Sequence, residues 1–472
     1  MYVCGATVQG APHLGHLRSA VVFDQLRRWL TYTGYEVTLV RNVTDIDDKI
    51  LEKAAQTGVP WWAHAYFYEQ EFTRAYDAIG VWSPSYEPRA TGHITEMTEL
   101  ISRLIEAEHA YPAEDDSGDV YFATASWPDY GSLTHQHRDD MAAATDAPAR
   151  AKRDPRDFAL WKGHKRTDPA TASWPTPWGR GRPGWHIECS AMATKYLGDS
   201  FDIHGGGLDL RFPHHENERA QSMAAGQGFA ATWMHSGMVT IGTEKMSKSL
   251  GNSVYAHALF ERVPSLTVRY FLSTAHYRSV LEFSDDAVAA QSAGYERISN
   301  FCHRARAALH EVGAHPAPPA TAAEDWAQQP AVSEDFRAAM DDDLNTPKAL
   351  AALFGEVRAG YKLLESATHD EEQRRELRIC LGSVETMLDV LGLLPASADS
   401  AGNAGAVAQT GVQTPPHMRA LDVLVTQLLE DRAAAKRDKD YARADAIREH
   451  LSDAGIAVAD TPGGGYTYEL PS

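Results

Sequence analysis

The first forty residues constrain the fold more than any other part of the chain. Tyr2-Val3-Cys4 is a short apolar run that stops at Gly5, and Gly10, Pro12 and Gly15 punctuate the following stretch as a turn. After Gly15 apolar residues recur at helical spacing, at Val22, Leu26, Trp29 and Leu30, and Gly34 predicts the helix C-cap. Glu36-Val37-Thr38-Leu39-Val40 then reads as a buried strand. Strand, helix and strand in this order form a βαβ unit, whose strands lie parallel and whose crossover is right-handed. The expected core is therefore a parallel α/β sheet, assembled from segments distant in sequence.

The 472 residues allow several domains. Residues 1–111 are expected to form the first half of the sheet domain. Residues 112–182, rich in Pro, Gly and Asp, read as an insertion, and 183–285 as the second half, where Phe201-Asp202-Ile203-His204 runs into a turn at Gly205-Gly206-Gly207 and Met238-Val239-Thr240-Ile241 stops at Gly242. Residues 286–395 are strongly helical in pattern, with a Pro/Ala-rich loop over 311–330. Residues 396–416 have the composition of a linker, and 417–472 form a small charged C-terminal domain of one or two helices with a Gly-rich end. The net charge is −20, which leaves a polyanion only local patches to bind. One is the stretch from Ala142 to Arg182, with nine Lys/Arg against four Asp/Glu. A signal peptide and a membrane span are not expected, so a cytoplasmic, reducing setting is. The four cysteines, Cys4, Cys189, Cys302 and Cys380, form no short CxxC pair, which points away from a disulfide scaffold.

Two motifs carry phosphate chemistry. Pro12-His13-Leu14-Gly15-His16 occupies the turn before the first helix. A helix N-terminus offers unpaired N–H groups to phosphate. Gly15 allows close approach of a ligand, and His13 and His16 are placed to hydrogen-bond charge that develops on phosphate oxygens. By itself the segment reads equally well as a capping turn. The second motif is Glu244-Lys245-Met246-Ser247-Lys248-Ser249-Leu250-Gly251-Asn252, where two lysines three apart suit a polyphosphate. A lone KxxK would be a solvated basic loop. Together, HxGH and KMSKS resemble the signature pair of class I aminoacyl-tRNA synthetases, in which they flank a Rossmann-like nucleotide-binding sheet.

A third constellation is dispersed. Cys4 ends the first strand, Cys189 lies in Gly184-Trp185-His186-Ile187-Glu188-Cys189-Ser190, and His214 and Glu218 are four apart and so share one helical face. Two thiols, an imidazole and a carboxylate form a donor set suited to Zn²⁺. Each cysteine alone reads better as a buried thiol, and His214 and Glu218 alone as a helix-end hydrogen bond; the synthetase motifs favour the metal.

Over nearly its whole length the chain resembles the cysteinyl-tRNA synthetase family. The matching stretches include Arg41-Asn42-Val43-Thr44-Asp45-Ile46-Asp47-Asp48-Lys49, Arg156 to Lys162, Asp202 to Leu210 and Asp341-Asp342-Asp343-Leu344-Asn345-Thr346-Pro347, which opens that family's helical (DALR-type) domain. The resemblance implies one Zn²⁺ held by Cys4, Cys189, His214 and Glu218, a cysteine pocket lined by Thr44, Trp185 and His204, and Lys248 as the ATP-gripping lysine with Lys245 assisting. ATP would be bound through His13, Gly15, His16, Gly205, Gly206, Asp209 and Lys248, with Mg²⁺ accompanying it. The implied partners are ATP, L-cysteine and tRNA(Cys), without a membrane, and a monomer is expected. An apolar pocket separates near-isosteres such as cysteine and serine by only about a hundredfold. A zinc–thiolate bond is more selective, so no editing domain is expected.

Two other readings fit parts of the pattern. A ligase that passes activated cysteine to an amino-sugar in mycothiol synthesis would share the zinc set and both motifs but not a C-terminal tail. A non-catalytic metal- or RNA-binding paralogue would not need His13, His16, Lys245 and Lys248 intact. The tail carries six Lys/Arg against three Asp/Glu from Arg432 to Arg448 and resembles the family's anticodon-binding end. The chain departs from the family in starting at the Tyr-Val-Cys strand, where some twenty residues are usual, and in having Tyr466-Thr467-Tyr468-Glu469 where a tryptophan is frequent.

Overall fold

The computed structural model describes residues 1–145, 151–242, 244–245, 253–309, 330–366 and 371–394, isolated positions from 428 to 451, and two strands near the C-terminus. Residues 246–252 and 310–329, and the expected linker, lie outside the described residues. The chain divides into two compact units, Met1–Pro395 and Ala396–Ser472. No helix among the described residues is long and apolar enough to cross a membrane.

In the first unit β1 (Tyr2–Val3) leads into α1 (Leu14–Tyr32) and returns to β2 (Val40–Arg41), which pairs parallel with β1. The βαβ expectation holds, but the second strand is two residues long: Glu36 to Leu39 approach the sheet without joining it, and Gly34 sits one place beyond the C-cap Thr33 with φ +97°. Next come α2 (Asp48–Thr57), α3 (Trp61–Ala78) and α4 (Ile94–Glu106).

The insertion is a separate antiparallel sheet. Its strands β3 (Ala110–Pro112), β4 (Val120–Phe122), β5 (Phe158–Gly163), β6 (Trp174–Thr176) and β7 (Gly179–Pro183) are ordered β3-β4-β5-β7-β6. Ionic contacts fix it to α2: Lys162 reaches Asp48 at 2.7 Å, and Arg182 pairs with both Asp48 and Asp168. Partial burial alone would raise the Asp48 pKa, but the Lys162 and Arg182 charges outweigh it and hold the carboxyl well below the ordinary range. A carboxylate with a depressed folded-state pKa contributes stability above its unfolded pKa and loses it as pH falls through the folded one. The Asp48 side chain is 42% exposed, so screening limits this to about 1 kcal/mol. Asp48→Asn is thus expected to lower the thermal midpoint at pH 7, and the difference from wild type should shrink as pH falls below about 4; a pH-independent difference in scanning calorimetry would contradict the ion-pair account.

The chain then re-enters the first sheet. α5 (Trp185–Leu197) leads to β8 (Ser200–Gly207), which pairs with β1 so that Tyr2 faces His204 and Val3 faces Gly205. Here the sequence expectation needs correcting: residues 205–207 continue the strand rather than turning. Glycine is required because side chains crowd the strand; a Cβ on Gly205 would come within 2.2 Å of Phe23, and one on Gly206 within 3.1 Å of His215. α6 (Glu216–Ala224) and β9 (Phe229–Ser236) complete a parallel sheet ordered β2-β1-β8-β9. A smaller sheet joins β10 (Val239–Ile241), β11 (Glu244–Lys245) and β12 (Leu281–Phe283), with α7 (Ala256–Phe260) and α8 (Ser265–Ser273) between the last two.

The helices α9 (Asp285–Ala308), α10 (Glu334–Asp341), α11 (Thr346–Ser366) and α12 (Glu371–Leu391) form the helical part. α1 is buried on several sides: Leu17 and Val21 face the sheet core, while Val22, Leu26 and Trp29 face the helical core. Between the two cores Asp24 of α1 pairs with Arg28 at 2.8 Å and with Arg269 of α8, and Arg28 also meets Asp389 of α12 at 3.4 Å. Arg269 donates further to the carbonyls of Ile79 and Leu391. Gly392 (φ +68°) is needed beside it, because a Cβ there would lie 2.1 Å from the guanidinium. This buried network joins the helix that begins at the HxGH turn to the helical part.

In the second unit β13 (Ala457–Thr461) and β14 (Gly465–Glu469) form an antiparallel pair, with Ala457 opposite Glu469 and Thr461 opposite Gly465. The helical reading of the tail did not anticipate these strands.

Candidate functional site

The carboxyl ends of β1 and β8 open onto a cavity of about 380 Å³. In open parallel sheets this end, where neighbouring crossovers diverge, is where ligands bind. Cys4, Gly5, Gln9, His13, Gly15, His16, Trp185, Gly207, Asp209 and Met238 are among the residues that line it. Gly5 must be glycine, since a Cβ there would sit 1.7 Å from the Asn42 carbonyl oxygen.

His13 is the N-cap of α1, and its backbone N–H donates to Nδ1 of His16 at 3.1 Å. The two rings stack with centroids 3.6 Å apart. Both histidines and Gly15 therefore face the cavity from the start of a nineteen-residue helix. The backbone that follows the KMSKS segment is tied to this turn: Leu14 N–H donates to Val254 O, and Ala256 N–H to Pro12 O, each at 2.9 Å. The two motifs, more than 220 residues apart in sequence, are thus brought to one place. Lys245 lies on β11, with only its backbone described, and Lys248 is outside the described residues.

Cys4, which lines the cavity, comes together with the buried Cys189, His214 and Glu218, with one donor atom from each within 4.8 Å of all the others. Cys4 follows β1, Cys189 lies on α5 and Glu218 on α6, so three separate crossovers build the cluster. His214 Nε2 lies 3.1 Å from Glu218 Oε1, as their four-residue spacing predicts, and Cys4 Sγ is 3.4 Å from the same oxygen. The sulfurs are 3.8 Å apart, too far for a disulfide. Burial pushes both thiols up in pKa and holds the His214 ring neutral, down to about 3. Burial also opposes ionisation of Glu218, but the His204 ring and the hydrogen bonds from His204 and Cys4 reverse this and leave its pKa below the ordinary value. Two thiols that cannot ionise unaided, beside a neutral imidazole and a carboxylate, fit a divalent cation that would displace the thiol protons.

The expected pocket residues separate. Trp185 lines the cavity, with its ring 4.3 Å from that of His214. His204 is fully buried, donates from Nε2 to Glu218 Oε2 at 2.8 Å, and stacks on Trp233. Thr44 does not line the cavity; it is buried and donates its hydroxyl to Glu188 Oε2 at 2.8 Å. Of the expected ATP contacts, Asp209 lines the cavity, whereas Gly205 and Gly206 are buried inside the sheet and Gly207 is the glycine that faces it.

Sequence reasoning missed a belt of histidines. His186 lies 2.9 Å from His214, and His215 lies 2.8 Å from His235. Cys4, His204, His215 and Glu218 form a second group that meets the same distance criterion, sharing two members with the first. The doubled His214-His215 was visible in the sequence, but the role of His235 depends on the β8–β9 pairing, which sets Gly206 opposite it.

Comparison with known proteins gives a consistent result. Residues 1–293 match the family profile of the tRNA synthetases class I (C) catalytic domain, residues 335–395 that of the DALR domain, and residues 418–467 that of the cysteinyl-tRNA ligase anticodon binding domain. The cysteine–tRNA ligase of Clavibacter sepedonicus is 54% identical over 99% of this chain and 94% of its own length. That of Renibacterium salmoninarum is 53% identical over 98% of this chain and 93% of its own. Among solved structures, Mycobacterium tuberculosis methionyl-tRNA synthetase with methionyl-adenylate superposes with a TM-score of 0.57 at 17% identity, covering 88% of this chain and 98% of that one. The likeness at that identity is one of fold.

Proposed function

The chain belongs to the cysteine–tRNA ligase family of class I aminoacyl-tRNA synthetases, and from that premise we propose how its residues divide the work of joining L-cysteine to tRNA(Cys) at the expense of ATP. The observation that carries the reading is that the HxGH turn and Cys4 of the Cys-Cys-His-Glu cluster line one cavity, while the backbone leaving KMSKS is hydrogen-bonded to that turn.

In the first step the cysteine carboxylate attacks the α-phosphorus of ATP, the bond to the bridging oxygen breaks, and pyrophosphate leaves. His13 and His16 donate hydrogen bonds to the phosphate oxygens as charge shifts onto them. Gly15 lets the triphosphate approach the N-terminus of α1. Lys248, with Lys245, holds the leaving pyrophosphate, and Asp209 is placed for the ribose at the cavity edge. Mg²⁺ would accompany the nucleotide. Cys4, Cys189, His214 and Glu218 would hold one Zn²⁺, which would supply affinity for a thiolate sulfur that the serine hydroxyl does not match near neutral pH. Trp185 walls the amino-acid end, His204 holds the Glu218 carboxylate from behind, and Thr44 holds Glu188. In the second step the terminal ribose hydroxyl of tRNA attacks the acyl carbon and AMP leaves. No side chain needs to act as a nucleophile.

Under this reading the chain works in the cytoplasm as a monomer, in the segments described above: sheet halves 1–111 and 183–285, insertion 112–182, helical domain 286–395, linker 396–416 and anticodon-binding domain 417–472. The test is cysteine-dependent ATP–pyrophosphate exchange together with metal content. Exchange with cysteine but not serine, and one zinc per chain, are the expected results. Serine exchange at a comparable rate would refute selection by the metal, and transfer to an amino-sugar rather than tRNA would favour the mycothiol-type ligase.

A further inference from the structure

The outward face of α3 carries an aromatic row that packing does not explain. Trp62, Tyr66 and Phe67 are 58%, 54% and 56% exposed. Trp62 and Tyr66 are four apart and so lie on one stripe of the helix. Water-exposed aromatics grouped in this way mark an interaction surface rather than a fold requirement.

The inward face of the same helix is part of the wall around the candidate active site. Phe72 packs edge-on against His16 at 4.9 Å, and the His64 ring lies 3.2 Å from the carbonyl of Gln9, which lines the cavity. A helix with its side chains is about 10–12 Å across, so the aromatic row lies about one helix diameter from the cavity wall. At its N-terminal end α3 meets the insertion: Trp61 packs on Trp174 of β6, and its indole N–H donates to Thr171 at 3.1 Å. That lobe presents exposed Lys165, Arg166 and Arg180. The two carboxylates on this part of α3 are already paired, Glu69 with Arg89 and Glu71 with Arg74, and Arg89 also lies over the Tyr66 ring at 5.8 Å.

Aromatic faces beside exposed cations are the combination that holds a single-stranded nucleic acid: bases stack on the rings and phosphates meet the charges. We propose that Trp62, Tyr66 and Phe67 form a stacking platform for the unpaired 3′ nucleotides of the tRNA, and that the Lys165, Arg166 and Arg180 lobe steadies their phosphates as the end enters the cavity. The proposal rests on the functional reading above and adds to it a path for the acceptor end. The platform guides the strand and takes no part in the chemistry.

The test compares the full chain with a Trp62→Ala/Tyr66→Ala variant and with Trp62→Phe/Tyr66→Phe. It uses tRNA(Cys) transcripts with and without the unpaired 3′ nucleotides. The alanine pair is expected to lower kcat/KM for tRNA charging by roughly 10–100-fold and to leave cysteine-dependent ATP–pyrophosphate exchange within about twofold. The phenylalanine pair should recover most of the loss, because it keeps the stacking faces. All three proteins should bind the shortened transcript equally well, and the tryptophan fluorescence lost in Trp62→Phe/Tyr66→Phe should be quenched in the full chain by the complete transcript only. Unchanged charging by the alanine pair would overturn the proposal. So would an equal loss of affinity for the shortened transcript, which would place the contact elsewhere on the tRNA, or a change in oligomeric state with charging intact, which would make the row a protein interface. A wild-type chain without cysteine-dependent exchange would overturn the functional reading and this inference with it.

Discussion

Cys189→Ser is expected to leave the chain folded but without bound zinc, and to cut cysteine-dependent ATP–pyrophosphate exchange by roughly a thousandfold or more. Cys189 is 1% exposed and its sulfur lies 3.8 Å from that of Cys4. Serine fills nearly the same volume, so the packing cost is small, but a hydroxyl in this buried place does not ionise to serve as a ligand. The remaining Cys4, His214 and Glu218 are one donor short of a closed set. His214→Ala tests the same assignment from the neutral-ligand side, and metal content read with the thermal midpoint separates lost coordination from lost folding. Because burial raises both thiol pKa values while His214 is already neutral, zinc uptake should release close to two protons, and affinity should fall as pH drops. Stoichiometric zinc and wild-type exchange in Cys189→Ser would end the metal assignment.

The donor set was legible in the sequence only through the synthetase motifs and the family resemblance, since each member alone reads as a buried thiol or a helix-end hydrogen bond. The HxGH turn was legible from its place, with a strand before it and a helix after it. What stayed hidden depended on neighbours far along the chain. Gly205-Gly206-Gly207 has the composition of a turn, yet it continues the strand, and Phe23 packs so closely on Gly205 that only glycine fits there. Thr44 matched the pocket of the resembling family, but Glu188, one turn into α5, takes its hydroxyl. The buried pairing of Asp24, Arg28 and Arg269 had no local signal, because their partners, Asp389 and the carbonyls of Ile79 and Leu391, come from parts of the chain that no local pattern connects. Trp61, Trp62, Tyr66, Phe67 and Tyr68 stand close together in the sequence, which does not tell which rings point inward. Trp61 is buried against the insertion, and Trp62 beside it is not.

Removal of residues 417–472 is expected to lower kcat/KM for tRNA(Cys) by roughly a hundredfold or more while pyrophosphate exchange stays within about twofold of wild type. Residues 1–395 form a compact unit of their own, and the sheet core and the helical core are built within it. The cavity is lined from Val3 to Val239, so its walls do not depend on the tail. The tail has a different value to the enzyme. It matches an anticodon binding domain, and in a chain of net charge −20 its stretch from Arg432 to Arg448 is locally positive. A polyanion held by a second, tethered module gains from a high effective concentration at the first, and the whole gain disappears with the module. The phosphate part of that gain weakens as salt rises, so the gap between full-length and shortened chains should narrow between about 50 and 200 mM salt. Charging and exchange that fall together would show that the tail supports the fold of the first unit, and a gap indifferent to salt would place its contribution outside phosphate contacts.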